Sequence, residues 1–376
     1  MAQIQPTVGT TVALPKAGLE KLLANLHQLG YRVFGPQVED SAIVYGPLNS
    51  ITELPKGYVT EQDAGVYRLV YSGHRRFFDT THGAESWKKY FFPSFTELTR
   101  MKRDEHGHWE VEETEVDLAP IALFGVSPCD LAAIQVQDRI FMREEWKDPV
   151  YSARRQSAFI LSVNCLHPCG TCFCASMGTG PRSNPGFDLC LTELDDVFLV
   201  EVGSESGRMV MDGISVLPTS AFWLQAAQKG LEEASLNMGR SVPNEKELPE
   251  LLLNNLEAKQ WDKVATRCMS CTNCTQVCPT CFCWDARDSL DLSGQTARRE
   301  RVWDSCFNPD YNYIVGGNMR PNTRSRYRQW LTHKFGSWYP QFGTSGCVGC
   351  GRCITWCPAR IDVTEEIRWL REEVQS

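Results

Sequence analysis

The sequence predicts an α+β / α/β fold: an N-terminal and a middle α/β region with a parallel βαβ unit, followed by a mainly helical domain organised around clustered cysteines. Three observations lead there. The apolar runs IALFGV at residues 121–126 and AFILSV at 158–163 flank a helix-length segment, the spacing of a right-handed βαβ unit. Leucines recur at three- and four-residue steps near residues 19–29, and a leucine-rich stretch at 247–265 reads as a further helix. The runs CMSCTNCTQVCP at 268–279 and CVGCGRCITWCP at 347–358 each read Cys-x2-Cys-x2-Cys-x3-Cys-Pro, so that one short loop presents three sulfurs to a common centre. The chain then divides into residues 1–119, 120–245 and 246–376, with a long insertion at 279–346 inside the last part.

In order along the chain, Pro15 opens an amphipathic helix whose apolar face is Leu19, Leu22, Leu23, Leu26 and Leu29, and Gly30 closes it. A strand follows at residues 66–71, and His74, Arg75 and Arg76 read as a solvated loop. In the middle region, Asp130 caps the helix between the two buried strands, which runs to about Met142. Cys129 and Cys165 lie just beyond the carboxyl ends of those strands, the edge at which open α/β sheets gather ligands. The loop at 177–186 is rich in turn formers but lacks the Gly-x-Gly-x-x-Gly placement of a dinucleotide site. A strand at 197–202 precedes the leucine-rich helix, which delivers the chain into the first cysteine run.

Composition bounds the function. With 376 residues, 42% hydrophobic and 22% charged, and no run approaching a membrane span, the chain reads as a soluble cytoplasmic protein. A net charge of −8 argues against a nucleic-acid partner. Arg298, Arg299, Arg301, Arg320, Arg324, Arg326 and Arg328 are expected to pair with carboxylates. Seventeen cysteines, an odd number gathered in runs, suit thiolates binding metal in a reducing compartment better than a disulfide framework.

The doubled cysteine spacing is that of a two-cluster ferredoxin, in which the last cysteine of each run serves the cluster held by the other. One 4Fe–4S cluster then takes Cys268, Cys271, Cys274 and Cys357, and a second takes Cys347, Cys350, Cys353 and Cys278. Pro279 and Pro358 turn the chain away after each fourth ligand. Zinc also uses Cys-x2-Cys pairs, but four ligands per ion leave this repeated longer pattern unexplained. A third four-thiolate set is available from Cys129, Cys165, Cys172 and Cys174, with Cys169 as a competing ligand and His167 as a hydrogen-bonding or exposed neighbour. Cys281, Cys283 and Cys306 are expected to line the surroundings of the clusters, and Cys190 to be a strand-side thiol.

The strings SPCDLAAI, NCLHPCGTCFCASMGTGP, VCPTCFCWD, WDSCF, SRYRQWLTHK and SGCVGCGRCITWCP resemble the beta, iron–sulfur subunit of cytoplasmic NAD(P)-linked nickel–iron hydrogenases, the sulfhydrogenases. The A subunit of anaerobic sulfite reductase is similar over much of the same stretch. The resemblance implies a heterotetramer with a flavin subunit that binds NAD(P)H, an iron–sulfur small subunit and a nickel–iron large subunit. It favours Cys129, Cys165, Cys172 and Cys174 over Cys169 as the third ligand set. It implies an electron-transfer subunit with no flavin and no catalytic residue of its own, placed between flavin and hydrogenase modules. Electron input to a sulfite reductase, or less readily a self-contained NAD(P)H-oxidising flavoenzyme, are the alternatives.

Overall fold

The computed structural model describes residues 5–112 and 117–375. Its larger sheet has seven strands in the order Thr11–Pro15, Val197–Val202, Leu189–Glu193, Phe159–Val163, Ile121–Val126, Arg32–Glu39 and Ala42–Pro47. The four strands from Leu189–Glu193 to Arg32–Glu39 are mutually parallel, and antiparallel strands finish both edges. Ile121–Val126 and Phe159–Val163 are apolar and almost wholly buried, as strands covered on both faces must be. The helix Pro128–Phe141 joins them, so the expected parallel βαβ unit is present.

Leu19, Leu22, Leu23 and Leu26 of the helix Gly18–Gln28 pack under this sheet against Phe124, Leu161, Leu191 and Val200. Local details depart from the sequence expectations. Pro15 ends the first strand rather than opening the helix, and Leu29 is an exposed C-cap, because the buried stripe stops one turn earlier. The cap of the helix Pro128–Phe141 is Ser127, whose Oγ accepts from the Asp130 backbone N–H; the Asp130 carboxylate serves a distant partner instead. The expected helix at 247–265 is two helices, Leu248–Leu253 and Gln260–Ala265. Asn255 breaks it: its Nδ2 donates to the Leu251 carbonyl and its own carbonyl accepts from Trp261 Nε1, diverting groups that a continuous helix would use.

The C-terminal part is mainly helical and packs around Trp261, Trp330, Leu331, Phe335, Ile354, Ile367 and Leu370. Within its long insertion, the strands Trp284–Leu290 and Thr296–Trp303 form a ribbon, and the latter pairs antiparallel with Phe95–Arg103 of the N-terminal region. Arg298, Arg299, Arg301, Arg324 and Arg328 form ion pairs with Glu97, Asp288, Asp148 and Glu257, so this arginine-rich stretch is largely neutralised within the fold.

One ion pair joins the parallel sheet to the second cysteine run. Arg352 Nη1 and Nη2 donate to the two Asp130 carboxylate oxygens at 2.8 and 2.9 Å, and Arg352 Nε donates to the Glu85 carbonyl at 3.1 Å. Both side chains are essentially inaccessible, at 0% and 1% exposure. Burial alone would lift the Asp130 carboxyl, but the guanidinium more than offsets this and holds it below the usual carboxylate range. Asp130 therefore stabilises the fold above its unfolded pKa of about 3.9, and that contribution is lost as pH falls through the lower folded value. Asp130→Asn should cost about 3–5 kcal/mol by anaerobic chemical unfolding, because it strands a buried cation. Asp130→Asn combined with Arg352→Met should recover part of that loss.

Candidate metal centres

The cysteines gather around three cavities. The first is walled by Cys268, Cys271, Cys274 and Cys357, with Phe307, Tyr327 and Trp330 as its apolar floor. The second is walled by Cys278, Cys347, Cys350 and Cys353, with Trp330, Phe335 and Phe173. Cys353 and Trp330 line both, so these two adjoin. The third lies at the carboxyl edge of the parallel sheet and is walled by Cys129, Cys165, Cys172 and Cys174, together with Ser127, Asn164 and His82. Cys169 does not line it; its Sγ lies 3.1 Å from that of Cys172 and 3.4 Å from Thr171 Oγ1. His167 is half-exposed, bonded to Arg76 and 3.5 Å from Asp79.

Local backbone explains how each loop turns its sulfurs inward. In both cysteine runs the residues just before and just after the second cysteine take left-handed conformations: Ser270 and Thr272 in the first (φ 51° and 68°), Gly349 and Gly351 in the second (φ 65° and 76°). Alternating left-handed residues curl the chain so that successive sulfurs face one point. Glycine is required only in the second run. A Cβ on Gly351 would stand 2.3 Å from the Thr171 carbonyl oxygen, and one on Gly349 would stand 2.7 Å from the Cys174 backbone. The second run is therefore pressed against the loop that carries Cys172 and Cys174. Phe173 N donates to Gly349 O at 2.9 Å, Thr171 Oγ1 lies 2.8 Å from Thr355 Oγ1, and Thr179 Oγ1 donates to Val348 O at 2.6 Å. At the third cavity, Gly125 (φ 93°) sits at the register shift that ends the strand Ile121–Val126.

These surroundings are costly for free thiolates. Burial pushes Cys165 and Cys347 up to about 12 and lifts Cys129, Cys274 and Cys353 well above the usual thiol range. A bound cation core offsets that cost, since it supplies the positive charge that the thiolates lack. The exception is Cys278, held well below the thiol range first by its contact with Cys281 and then, against burial, by the Lys334 ammonium and Thr280. Lys334 is 5% exposed and lines the second cavity, with Nζ donating to Thr280 Oγ1 at 2.9 Å and Gly346 O at 3.2 Å. Burial pushes its ammonium down, but the sulfurs of Cys278, Cys281 and Cys347 outweigh burial and hold it well above the ordinary lysine range. Among the described residues, no group of three or more His, Cys, Asp or Glu side chains converges to hold a single metal ion. Each cysteine set lines one of the cavities, and an all-thiolate donor set is the ligand chemistry of an iron–sulfur core.

A family profile for the 4Fe-4S dicluster domain matches residues 267–361, the span of both cysteine runs. Sulfhydrogenase 2 subunit beta of Pyrococcus furiosus is 33% identical over 350 residues, covering 90% of this chain and 92% of that protein. The chain belongs to the sulfhydrogenase beta-subunit family. It is an iron–sulfur electron-transfer protein that carries 4Fe–4S clusters. No solved structure matches it. Among the described residues no helix is long and apolar enough to cross a membrane.

Sequence reading passed over three features of this beta subunit's sites. His82 stands alone in TTHGAE, Lys334 lies in a polar helix and Arg352 reads as an ordinary charge within the cysteine run; no spacing rule marks any of them. The glycine asymmetry is directly testable. Gly351→Ala should lower stability by more than about 2 kcal/mol, since it adds left-handed strain to a backbone clash. Thr272→Gly at the matching place in the first run should stay within about 1 kcal/mol of the parent in anaerobic denaturant titrations.

Proposed function

We propose that this chain relays single electrons through three 4Fe–4S clusters between a flavin-containing, NAD(P)H-binding subunit and a nickel–iron hydrogenase module. The observation that carries the reading is that each of three cavities is lined by all four members of one cysteine set drawn from separate parts of the chain, with Cys353 of the second set also reaching the first cavity. Cys268, Cys271, Cys274 and Cys357 would hold one cluster, Cys278, Cys347, Cys350 and Cys353 a second, and Cys129, Cys165, Cys172 and Cys174 a third. Bound there, four-iron clusters supply one-electron redox chemistry at potentials within about −700 to +450 mV, set by charge, hydrogen bonds and burial.

The protein's own part is to hold, bury and bias. Trp330, Phe335 and Phe173 exclude water from the second cavity, and Lys334 places a buried positive charge on its wall. Gly349 N donates to Cys347 Sγ at 3.4 Å and Ile361 N to Cys357 Sγ at 3.3 Å, hydrogen bonds that favour the more negative, reduced state. Cys271 and Met269 are exposed at the first cavity, which gives that end of the series a surface for exchange with a partner. The partner assignment, a heterotetramer with a flavin subunit, an iron–sulfur small subunit and a nickel–iron large subunit, draws support from the relative's designation as a subunit of a sulfhydrogenase. The flavin is assigned to the partner because the turn-rich loop at 177–186 lacks the nucleotide fingerprint.

In anaerobically purified, reduced protein, Cys353→Ser should abolish one ferredoxin-type electron paramagnetic resonance signal and leave the other; survival of both contradicts the assignment of Cys353 as a cluster ligand. Lys334→Met should lower the midpoint potential of the second cluster by roughly 60 mV, a tenfold change in its oxidised-to-reduced ratio, and leave the first cluster unmoved in a redox titration. Hydrogenase large and small subunits and a flavoprotein should copurify with the native chain; copurification of a sirohaem protein would move the terminus to sulfite.

A further inference from the structure

His82 is 5% exposed, lines the third cavity beside Cys129, Cys165, Cys172 and Cys174, and has no hydrogen-bond partner at either ring nitrogen. An orphaned buried imidazole costs about 1–3 kcal/mol of lost hydration, so its place on the wall of this cavity calls for a partner inside it. The backbone leaves the ring little freedom to seek one elsewhere. The His82 carbonyl accepts from Gln62 Nε2 at 3.1 Å, and Gln62 Oε1 in turn accepts from Thr355 Oγ1 at 2.9 Å, on the helix Arg352–Thr355 of the second cysteine run. The next residue, Gly83, passes so close to the strand Ala42–Pro47 that a Cβ there would stand 2.1 Å from the Ile43 carbonyl oxygen.

We propose that His82 donates a ring N–H hydrogen bond to the sulfur shell of the third four-iron cluster and raises its reduction potential. The inference rests on the third ligand set proposed above. Four cysteines already supply one thiolate for each iron of a cubane, so the imidazole is left as a donor rather than a fifth ligand. An imidazole carries at least one ring N–H in either protonation state, so a donor is available to the cavity. Reduction adds one electron, hence one negative charge, to the cluster and its thiolates. An N–H dipole aimed at that shell stabilises the reduced form more than the oxidised one.

The test uses the full chain, purified anaerobically, with iron content and the midpoint potential of each paramagnetic signal measured for the parent, His82→Leu and His82→Gln. The proposal expects about twelve irons in all three, a roughly fivefold shift of the third cluster towards its oxidised form in His82→Leu at fixed potential, partial return in His82→Gln, and no movement of the other two signals. Full iron content with an unmoved third potential in His82→Leu would overturn the hydrogen bond. Loss of about four irons from both variants would overturn it in favour of a ligand or scaffold role. A parent with about eight irons and no third signal would instead remove the third ligand set itself, and the inference with it.

Discussion

A single buried guanidinium couples the two halves of this molecule. Arg352 belongs to the second cysteine run, yet both its Nη atoms are spent on Asp130, in the first turn of the helix that follows the strand Ile121–Val126. Cys129 and Cys350, neighbours of the pair in sequence, meet in one apolar cluster with Cys174, Trp338 and Val348. A fully desolvated pair tolerates little displacement, because each charge loses its only strong counterpart. The edge of the sheet and the second cysteine loop are thereby held against each other, and Cys129 and Cys174 of the third cavity share an apolar cluster with Val348 and Cys350 of the second.

The second constraint is geometric. Four sulfurs must surround one volume, and a loop of seven residues reaches three corners at most, so each centre borrows a cysteine from elsewhere. The crossing of Cys278 and Cys357 between the first two cavities, and the pairing of Cys129 with the 165–174 loop at the third, are two solutions to that shortage. Both tie remote segments of the chain together at a cavity wall. Where the loops are pressed against other backbone they use glycine, as at Gly349 and Gly351; where one faces solvent, Ser270 and Thr272 bear the left-handed strain.

Much of this was legible in the sequence, and the physical reasons are plain. The strands 121–126 and 158–163 were readable because a strand buried on both faces must be continuously apolar, and the helix at 18–28 because its leucine stripe follows the helical period. The two cysteine runs of the 4Fe-4S dicluster domain were readable because ligand chemistry restricts both residue type and spacing. What escaped depends on partners distant in the chain. Asp130 looks like a helix cap until Arg352, 222 residues later, is placed against it. The ribbon at 284–303 finds its sheet only by pairing with Phe95–Arg103. The break at Asn255 turns on one side-chain amide, and His82 acquires meaning only from the cavity beside it.

The central claim is that three cavities, each lined by one of the three four-cysteine sets, are the seats of three four-iron clusters. Quantifying iron and acid-labile sulfide per chain in anaerobically purified protein, with the iron assigned by Mössbauer spectroscopy, tests it most directly. The account predicts about twelve irons and as many sulfides, all in cubane form. About eight would deny the third seat, and a folded, colourless chain holding zinc or no metal would contradict the account altogether.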